Sequence, residues 1–264
     1  MEQRSNQFIL KSENLAIGYC DSAGTTTIAK DLNIELKKGK LVCLLGRNGI
    51  GKSTLLRTLS NTQFKLKGHI FINNKNLADI NAVNLAKKIS LVLTERIPES
   101  QLSVYQIIAL GRQPYTNWLG KLSKTDLQKI DQAIELLQIK HLIYKKNYQL
   151  SDGQLQKVMI ARALAQDTEI IILDEPTAHL DLHHKIEVFK VLKELVTKMN
   201  KTIIVSTHEV NIALHLADEL WLMTEEKFSS GTTESLLKSK DLEKLFPKNQ
   251  IIFNSELKQF TLKK

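Results

Sequence analysis

An α/β fold around a buried parallel sheet is predicted by three observations. Short apolar runs, Leu41-Val42-Cys43-Leu44-Leu45, Ile170-Ile171-Ile172-Leu173 and Thr202-Ile203-Ile204-Val205, have the length and β-branched content of strands covered on both faces. Stretches at helical spacing, such as residues 183 to 199, alternate with these runs, as crossover connections require. A glycine-rich loop leads from the first run into the helix-like Thr54-Leu55-Leu56-Arg57-Thr58-Leu59.

The remaining elements follow in order. Phe8-Ile9-Leu10, Leu15-Ala16-Ile17 and His69-Ile70-Phe71-Ile72 are short apolar runs separated by Gly, Asp and Asn turn signals, so residues 7 to 72 read as strand-rich. Ile89-Ser90-Leu91-Val92-Leu93 reads as a further strand. From about 98 to 167 the spacing becomes helical: Leu127, Ile130, Ile134 and Leu137 recur on one face behind Ser123-Lys124-Thr125-Asp126, a capping sequence, which predicts a helical insert. The tail from about 225 to 264 is mixed and basic, with strand signals at Ile251-Ile252-Phe253. Neither repeats nor low-complexity stretches occur.

Composition narrows the function classes. The 264 residues, 42% hydrophobic, suffice for a substantial core. No apolar run approaches the roughly 20 residues that cross a bilayer, and Met1-Glu2-Gln3-Arg4-Ser5-Asn6 lacks the layout of an export signal. A cytosolic chain is therefore expected. Cys20 and Cys43 are not spaced for metal. The net charge of +9 is spread out: Lys145-Lys146 and Lys37-Lys38-Gly39-Lys40 have no interleaved aromatic residues, so a solvated surface is expected rather than a nucleic-acid partner.

Gly46-Arg47-Asn48-Gly49-Ile50-Gly51-Lys52-Ser53 fits G-x-x-x-x-G-K-[ST] between a strand and a helix. Glycines let the backbone curl so that successive N–H groups face an anion. Lys52 is then expected on the β and γ phosphates of a nucleotide and the Ser53 hydroxyl on magnesium. The run Ile170-Ile171-Ile172-Leu173 ends in Asp174-Glu175, and strand carboxyl ends are where ligands sit in open α/β sheets. Asp174 is expected to hold magnesium through its water shell, and Glu175 to orient and polarise the attacking water. The interval of about 120 residues between Lys52 and Asp174 is longer than small GTPases and simple nucleotide kinases use, and the helical insert fills it.

Leu150-Ser151-Asp152-Gly153-Gln154, about 20 residues before Asp174, resembles the LSGGQ signature of ATP-binding cassette (ABC) ATPases. The resemblance spans roughly residues 5 to 225 and takes in the loop at 46 to 54 and Asp174-Glu175. It also takes in Ala178-His179-Leu180-Asp181 as the D-loop and His208 in Ser206-Thr207-His208-Glu209 as the switch histidine. It implies a P-loop NTPase core with a parallel sheet, an N-terminal antiparallel β subdomain and an inserted α-helical subdomain. In domain terms the whole of 1–264 is one ABC ATPase domain. Residues 5–94 and 168–225 form a RecA-like core plus β subdomain, 95–167 the helical subdomain carrying the signature, and 226–264 a C-terminal extension.

The resemblance further implies that two copies sandwich ATP and Mg2+ head to tail. One copy would bind nucleotide through Gly46, Arg47, Asn48, Gly49, Gly51, Lys52, Ser53 and Thr54, the other through Ser151, Gly153 and Gln154. Tyr19 matches the adenine-stacking aromatic, and His208 would contact the γ-phosphate and the attacking water. Two positions depart from the pattern. Asp152 replaces the middle glycine of the signature, and Thr94-Glu95 stands where the Q-loop glutamine is expected. Thr94 can still reach magnesium through its hydroxyl, but it is shorter than Gln, so slower or differently gated hydrolysis is expected.

Ala109-Leu110-Gly111-Arg112-Gln113-Pro114-Tyr115 looks like a segment of importer ATPases for iron-siderophore, haem and cobalamin uptake, the plain alternative being a Gly-Pro loop between helices. This implies two membrane permease subunits as partners, a substrate-binding protein indirectly, and a cytoplasmic position attached to the inner face of the cell membrane. Two other readings stand beside it: an ABC ATPase acting on ribosomes or nucleic acid, and a regulatory module that binds ATP with little turnover.

Overall fold

A computed structural model describes residues 8–22, 24–94, 98–178, 180–246, 251–254, 257 and 259–262. The chain opens with β1 (Phe8–Asp21), β2 (Gly24–Lys37) and β3 (Leu41–Leu45), then α1 (Lys52–Leu59), β4 (Lys67–Ile72), β5 (Lys75–Asn76), α2 (Ala82–Ala86) and β6 (Ile89–Val92). Three helices follow, α3 (Val104–Ala109), α4 (Lys124–Leu136) and α5 (Asp152–Ala165). Then come β7 (Ile170–Asp174), α6 (Leu182–Met199), β8 (Thr202–Ser206), α7 (Val210–Leu216), β9 (Glu219–Met223), β10 (Phe228–Gly231) and α8 (Thr233–Lys238). A hairpin, β11 (Ile251–Asn254) and β12 (Gln259–Leu262), closes the sequence.

The predicted runs form the centre of a six-stranded sheet of order β10-β9-β3-β8-β7-β6. The five strands from β9 to β6 are parallel, and β10 runs antiparallel to β9. Alternate residues serve two cores, which is why the runs carry no polar face. Cys43, Leu45, Ile171, Leu173, Ile203 and Val205 pack beneath the helices α3 to α6. Val42, Leu44, Ile170, Ile172, Ile204 and Trp221 face α1 and an antiparallel sheet of order β2-β1-β4-β5. The expected α/β class, with a β layer on one side and a helical insert on the other, is what forms.

Two local features differ from the sequence reading. Phe8-Ile9-Leu10 and Leu15-Ala16-Ile17 belong to one strand, because the polar residues between them make a bulge rather than a turn. Asn14 adopts φ 47°, and pairing with β2 shifts register between Ser12 and Leu15. In α4, Ser123 and Asp126 form the expected capping box, and Ile130, Ile134 and Leu137 are buried, but Leu127 lies at the edge of that face and is exposed.

The segment after α3 continues as a 3-10 turn, Leu110–Tyr115, and packs directly on α5. A side chain at Gly111 would place its Cβ 2.3 Å from the Arg162 carbonyl, so only glycine permits this approach. Next to it, the buried Arg112 donates from Nε to Asp126 Oδ1 at 2.8 Å and from Nη1 to the Ala165 carbonyl at 2.7 Å. The Tyr115 ring lies 3.9 Å from the guanidinium carbon. One cation thus joins the turn, α4 and the end of α5.

Burial alone would raise the Asp126 carboxyl, but hydrogen bonds from Ser123 and Arg112 outweigh it and hold the group below its ordinary value. A carboxyl depressed in the folded state stabilises above its unfolded value of about 3.9 and loses that effect as pH falls through the folded value. Asp126→Ala strands a buried guanidinium, and at neutral pH it is expected to cost about 3–5 kcal/mol in urea denaturation. The gap from wild type should narrow once the pH drops below about 3.9.

Candidate functional site

The C-terminal ends of β3, β7 and β8 lie side by side, and the sequence-predicted residues gather there. At the end of β3 the glycine loop turns sharply. Gly49 and Gly51 adopt φ 77° and 108°, and a Cβ at Gly46 would stand 2.6 Å from the Met223 carbonyl. Gly51 occupies the N-cap of α1 and offers no side chain to the helix's first N–H groups. A helix start without a side-chain cap presents donors and the positive end of its dipole to an anion.

Lys52 opens α1 and is 4% exposed. Its Nζ donates to the carbonyls of Gly46 and Arg47 at 3.0 and 3.2 Å and lies 3.5 Å from Glu175 Oε1. Burial pulls the ammonium below its ordinary value, with Glu175 and Asp174 opposing that pull. Thr54 is buried in the same helix and its hydroxyl meets the Tyr19 hydroxyl at 2.9 Å, so the end of β1 is brought to the loop with the tyrosine about half exposed. Ser53 is half-buried beside Lys52, while Arg47 and Asn48 are exposed, Arg47 reaching Glu225 at 3.4 Å.

Asp174 ends β7 opposite Ser206, the last residue of β8. The buried Ser206 hydroxyl donates to Asp174 Oδ1 at 2.7 Å and accepts from the Glu175 amide at 2.8 Å. Glu175 itself adopts φ 48°, a left-handed conformation that costs energy for a residue with a side chain and is held here from both sides. The turn brings its carboxylate to His208, whose Nε2 lies 2.6 Å from Oε1, the same oxygen that faces Lys52. Thr94, at the end of β6, donates its hydroxyl to the Asp174 carbonyl at 2.8 Å. This spends the hydroxyl hydrogen and leaves its lone pairs. Glu95 and His179 lie outside the described residues.

Ser151, Gly153 and Gln154 sit elsewhere. Ser151 caps α5 in a reciprocal capping box with Gln154, at 3.3 and 3.2 Å. A Cβ at Gly153 would meet Leu180 and His184 at 3.5 and 3.6 Å. Among the described residues none of the three is hydrogen-bonded to the Lys52 loop. At this helix start Ser151 is exposed and Gly153 and Gln154 are half-buried.

Ser206 was absent from the predicted site residues, although the sequence held a signal for it. It is the polar residue that closes an otherwise apolar buried strand, at the same depth in the sheet as the acid closing the neighbouring one. The ion pair between Lys185 and Glu209 at 2.6 Å, next to His208, had no local sequence signal, since it joins α6 to the loop after β8.

Comparison with known proteins agrees with this geometry. The family model described as ABC transporter matches residues 29–178. The achromobactin transport ATP-binding protein CbrD of Dickeya dadantii is 36% identical over 229 residues, 86% of this chain and 84% of that protein. The iron(3+)-hydroxamate import ATP-binding protein FhuC of Bacillus subtilis is 36% identical over 204 residues, 77% of this chain and 74% of that protein. A solved structure assigned to a metal-chelate type ABC transporter, in an inward-facing conformation, superposes with a TM-score of 0.78 at 32% identity, covering 96% of this chain and 95% of that one.

Ser206→Ala removes one hydroxyl that satisfies two buried groups, so the Glu175 amide and an Asp174 oxygen lose their partner together. A loss of about 1–3 kcal/mol in urea denaturation is expected. A variant as stable as wild type would show that the turn holds itself.

Proposed function

This chain belongs to the ABC transporter family as an ATP-binding subunit, and on that premise we propose that it is the ATPase of an importer for metal chelates of the iron-siderophore, haem or cobalamin kind. Two copies would work as a pair beneath two membrane permease subunits, with a substrate-binding protein delivering cargo from the far side. The observation that carries the catalytic reading is the convergence of Lys52 and His208 on a single oxygen of Glu175, at 3.5 and 2.6 Å, at the end of a buried parallel strand.

Each residue then has a task that its position supports. The uncapped start of α1 and the loop amides receive the phosphates, and Lys52 exchanges two backbone carbonyls for phosphate oxygens. Because burial disfavours its charge, an arriving anion relieves the penalty as well as adding an attraction. Asp174 has one oxygen committed to Ser206 and another that can hold the hydration shell of Mg2+, with Ser53 and Thr94 supplying hydroxyl lone pairs. Held by these residues, a magnesium ion would supply neutralising charge to the phosphates. Glu175 orients and polarises water, and His208 steadies the Glu175 carboxylate. Tyr19 offers its exposed ring to the adenine. The Ser151, Gly153 and Gln154 group is apart from the Lys52 loop of its own chain, which supports completion of each site by a second copy. The proposed domain limits at 94 and 167 are supported by α3 to α5 falling between β6 and β7, whereas β10 lies past the proposed limit at 225 yet pairs with β9 in the main sheet.

No helix among the described residues is long and apolar enough to cross a membrane. Transport therefore needs membrane partners, and the helical insert, tied together by Arg112, is the rigid body that would push on them. Relatives named for import favour this reading over a ribosome- or nucleic-acid-associated ATPase and over a regulatory module that binds ATP with little turnover.

Glu175→Gln keeps the shape of the side chain but not its charge, and a positioned general base is typically worth about 10²–10⁴ in rate. ATP hydrolysis by the purified chain should fall by that factor while ATP-dependent dimers accumulate; hydrolysis at the wild-type rate would remove Glu175 from the mechanism. Tagged protein recovered from detergent-solubilised membranes should bring a polytopic permease with it, whereas recovery of ribosomal proteins instead would overturn the transport reading.

A further inference from the structure

Two histidines and two acids at the start of α6 take no part in the chemistry described so far. His183, His184 and Glu187 each present one potential ligand atom, and those atoms all lie within 4.8 Å of one another. His183 Nδ1 is already 3.7 Å from Glu187 Oε1. In a tetrahedral site with bonds of about 2.0–2.1 Å, neighbouring donors stand roughly 3.3 Å apart, so a modest inward rotation of exposed side chains closes the set. We propose that His183, His184 and Glu187 form a binding site for a borderline divalent transition-metal ion of the Zn2+, Co2+ or Ni2+ class, distinct from the magnesium associated with nucleotide.

Three features of the surroundings support that assignment. First, the ligand set is two imidazoles and one carboxylate, which favours such ions over Mg2+ and Ca2+, whose preference is for oxygen alone. Second, the side chains around the set leave the needed atoms available. Asp181 Oδ1 lies 2.8 Å from His184 Nδ1, a carboxylate–histidine contact that fixes the ring and directs its other nitrogen to a metal. Lys157 Nζ holds Glu187 through Oε2 at 2.9 Å, leaving Oε1, the oxygen nearest His183, for the ion. Third, the neighbouring charges do not repel a cation strongly. Lys185 is neutralised by Glu209, and Lys157 by Glu187 itself, so Asp181 remains as a net negative charge beside the set. The positive end of the α6 dipole opposes binding, but it is a small effect beside two imidazole bonds. Three protein ligands on an exposed helix start leave the remaining coordination positions to water.

The position gives the site meaning. The set lies on α6, where Glu187 is paired with Lys157 of α5 and His184 is a nearest neighbour of Gly153. An ion held by these three residues of α6 would share Glu187 with Lys157 of α5, beside the helix start at Ser151. Metal binding does not rest on the paired-cassette reading.

The test is titration of the full-length, tag-free protein with ZnCl2 by calorimetry, without nucleotide and in excess MgCl2, with CoCl2 and visible absorption as a spectroscopic check of geometry. We expect one Zn2+ per chain that Mg2+ does not displace. Affinity should fall at least about tenfold in His183→Ala, in His184→Ala and in Glu187→Gln, and by about ten- to a hundredfold in Asp181→Asn, while His141→Ala leaves it unchanged. Absence of Zn2+ binding by wild type overturns the proposal, as does binding that survives in the His183→Ala/His184→Ala double variant. Either result would leave the ATPase reading untouched, since no nucleotide is present.

Discussion

One hydroxyl sets the geometry on which the rest of the site depends. The parallel register places Ser206 beside Asp174, so the two strand ends meet as a donor and an acceptor rather than as two apolar residues. The same oxygen then accepts the Glu175 amide, and this second bond holds the backbone in a left-handed turn it would otherwise avoid. Without that turn the Glu175 side chain would follow the strand's alternation. With it, one carboxylate reaches both the lysine of the glycine loop and the histidine beyond β8. The three groups follow β3, β7 and β8, and the sheet's hydrogen bonding brings the ends of these strands side by side although β3 is more than a hundred residues from the other two in sequence.

The helical insert is built on a different principle. Its core is apolar, with Val104, Ile108, Ile130, Ala161 and Ala165 fully enclosed or nearly so, but its corner is fixed by a buried cation. Apolar contacts alone allow helices to slide, whereas Arg112 must satisfy a carboxylate and a carbonyl at set angles. The helix start at Ser151 belongs to the same body, because the Ala165 carbonyl at the far end of α5 is one of the two groups that Arg112 holds. For a protein proposed to convert nucleotide binding into displacement of a membrane partner, a rigid insert carrying its own anion-facing helix end is a coherent arrangement.

Much of this was legible in the sequence where the signal was local. The apolar runs at 41–45, 170–173 and 202–205 gave the buried strands, because a strand covered on both faces has no reason to alternate. The glycine loop was legible because its backbone conformation tolerates few other residues, and Ser123 with Asp126 announced the start of α4 through capping chemistry. Long-range pairings were not visible. Nothing near Asn14 says that two apolar runs continue through a bulge as one strand, since that depends on pairing with β2. Strands β9 and β10 lie in a stretch whose pattern, Glu219-Leu220-Trp221-Leu222-Met223, was not singled out, and only the sheet shows why Trp221 is buried. Ser206 escaped notice for the same reason: its importance comes from the register, not from its neighbours in sequence. Likewise Arg112 lay in a segment singled out by resemblance, while its partner Asp126 was read only as part of a cap.

The end of the chain is fastened in a telling place. Phe260 of the final hairpin donates its amide to Asn211 of α7, packs at a tilt against Phe246 with ring centres 4.6 Å apart, and shares a cleft with His208. The helix that begins two residues beyond the histidine is therefore clamped by aromatic rings from the C-terminus. Small rotations of α7 must be transmitted to those rings, and a fluorescent or spin label on the hairpin would register them from outside the nucleotide cleft.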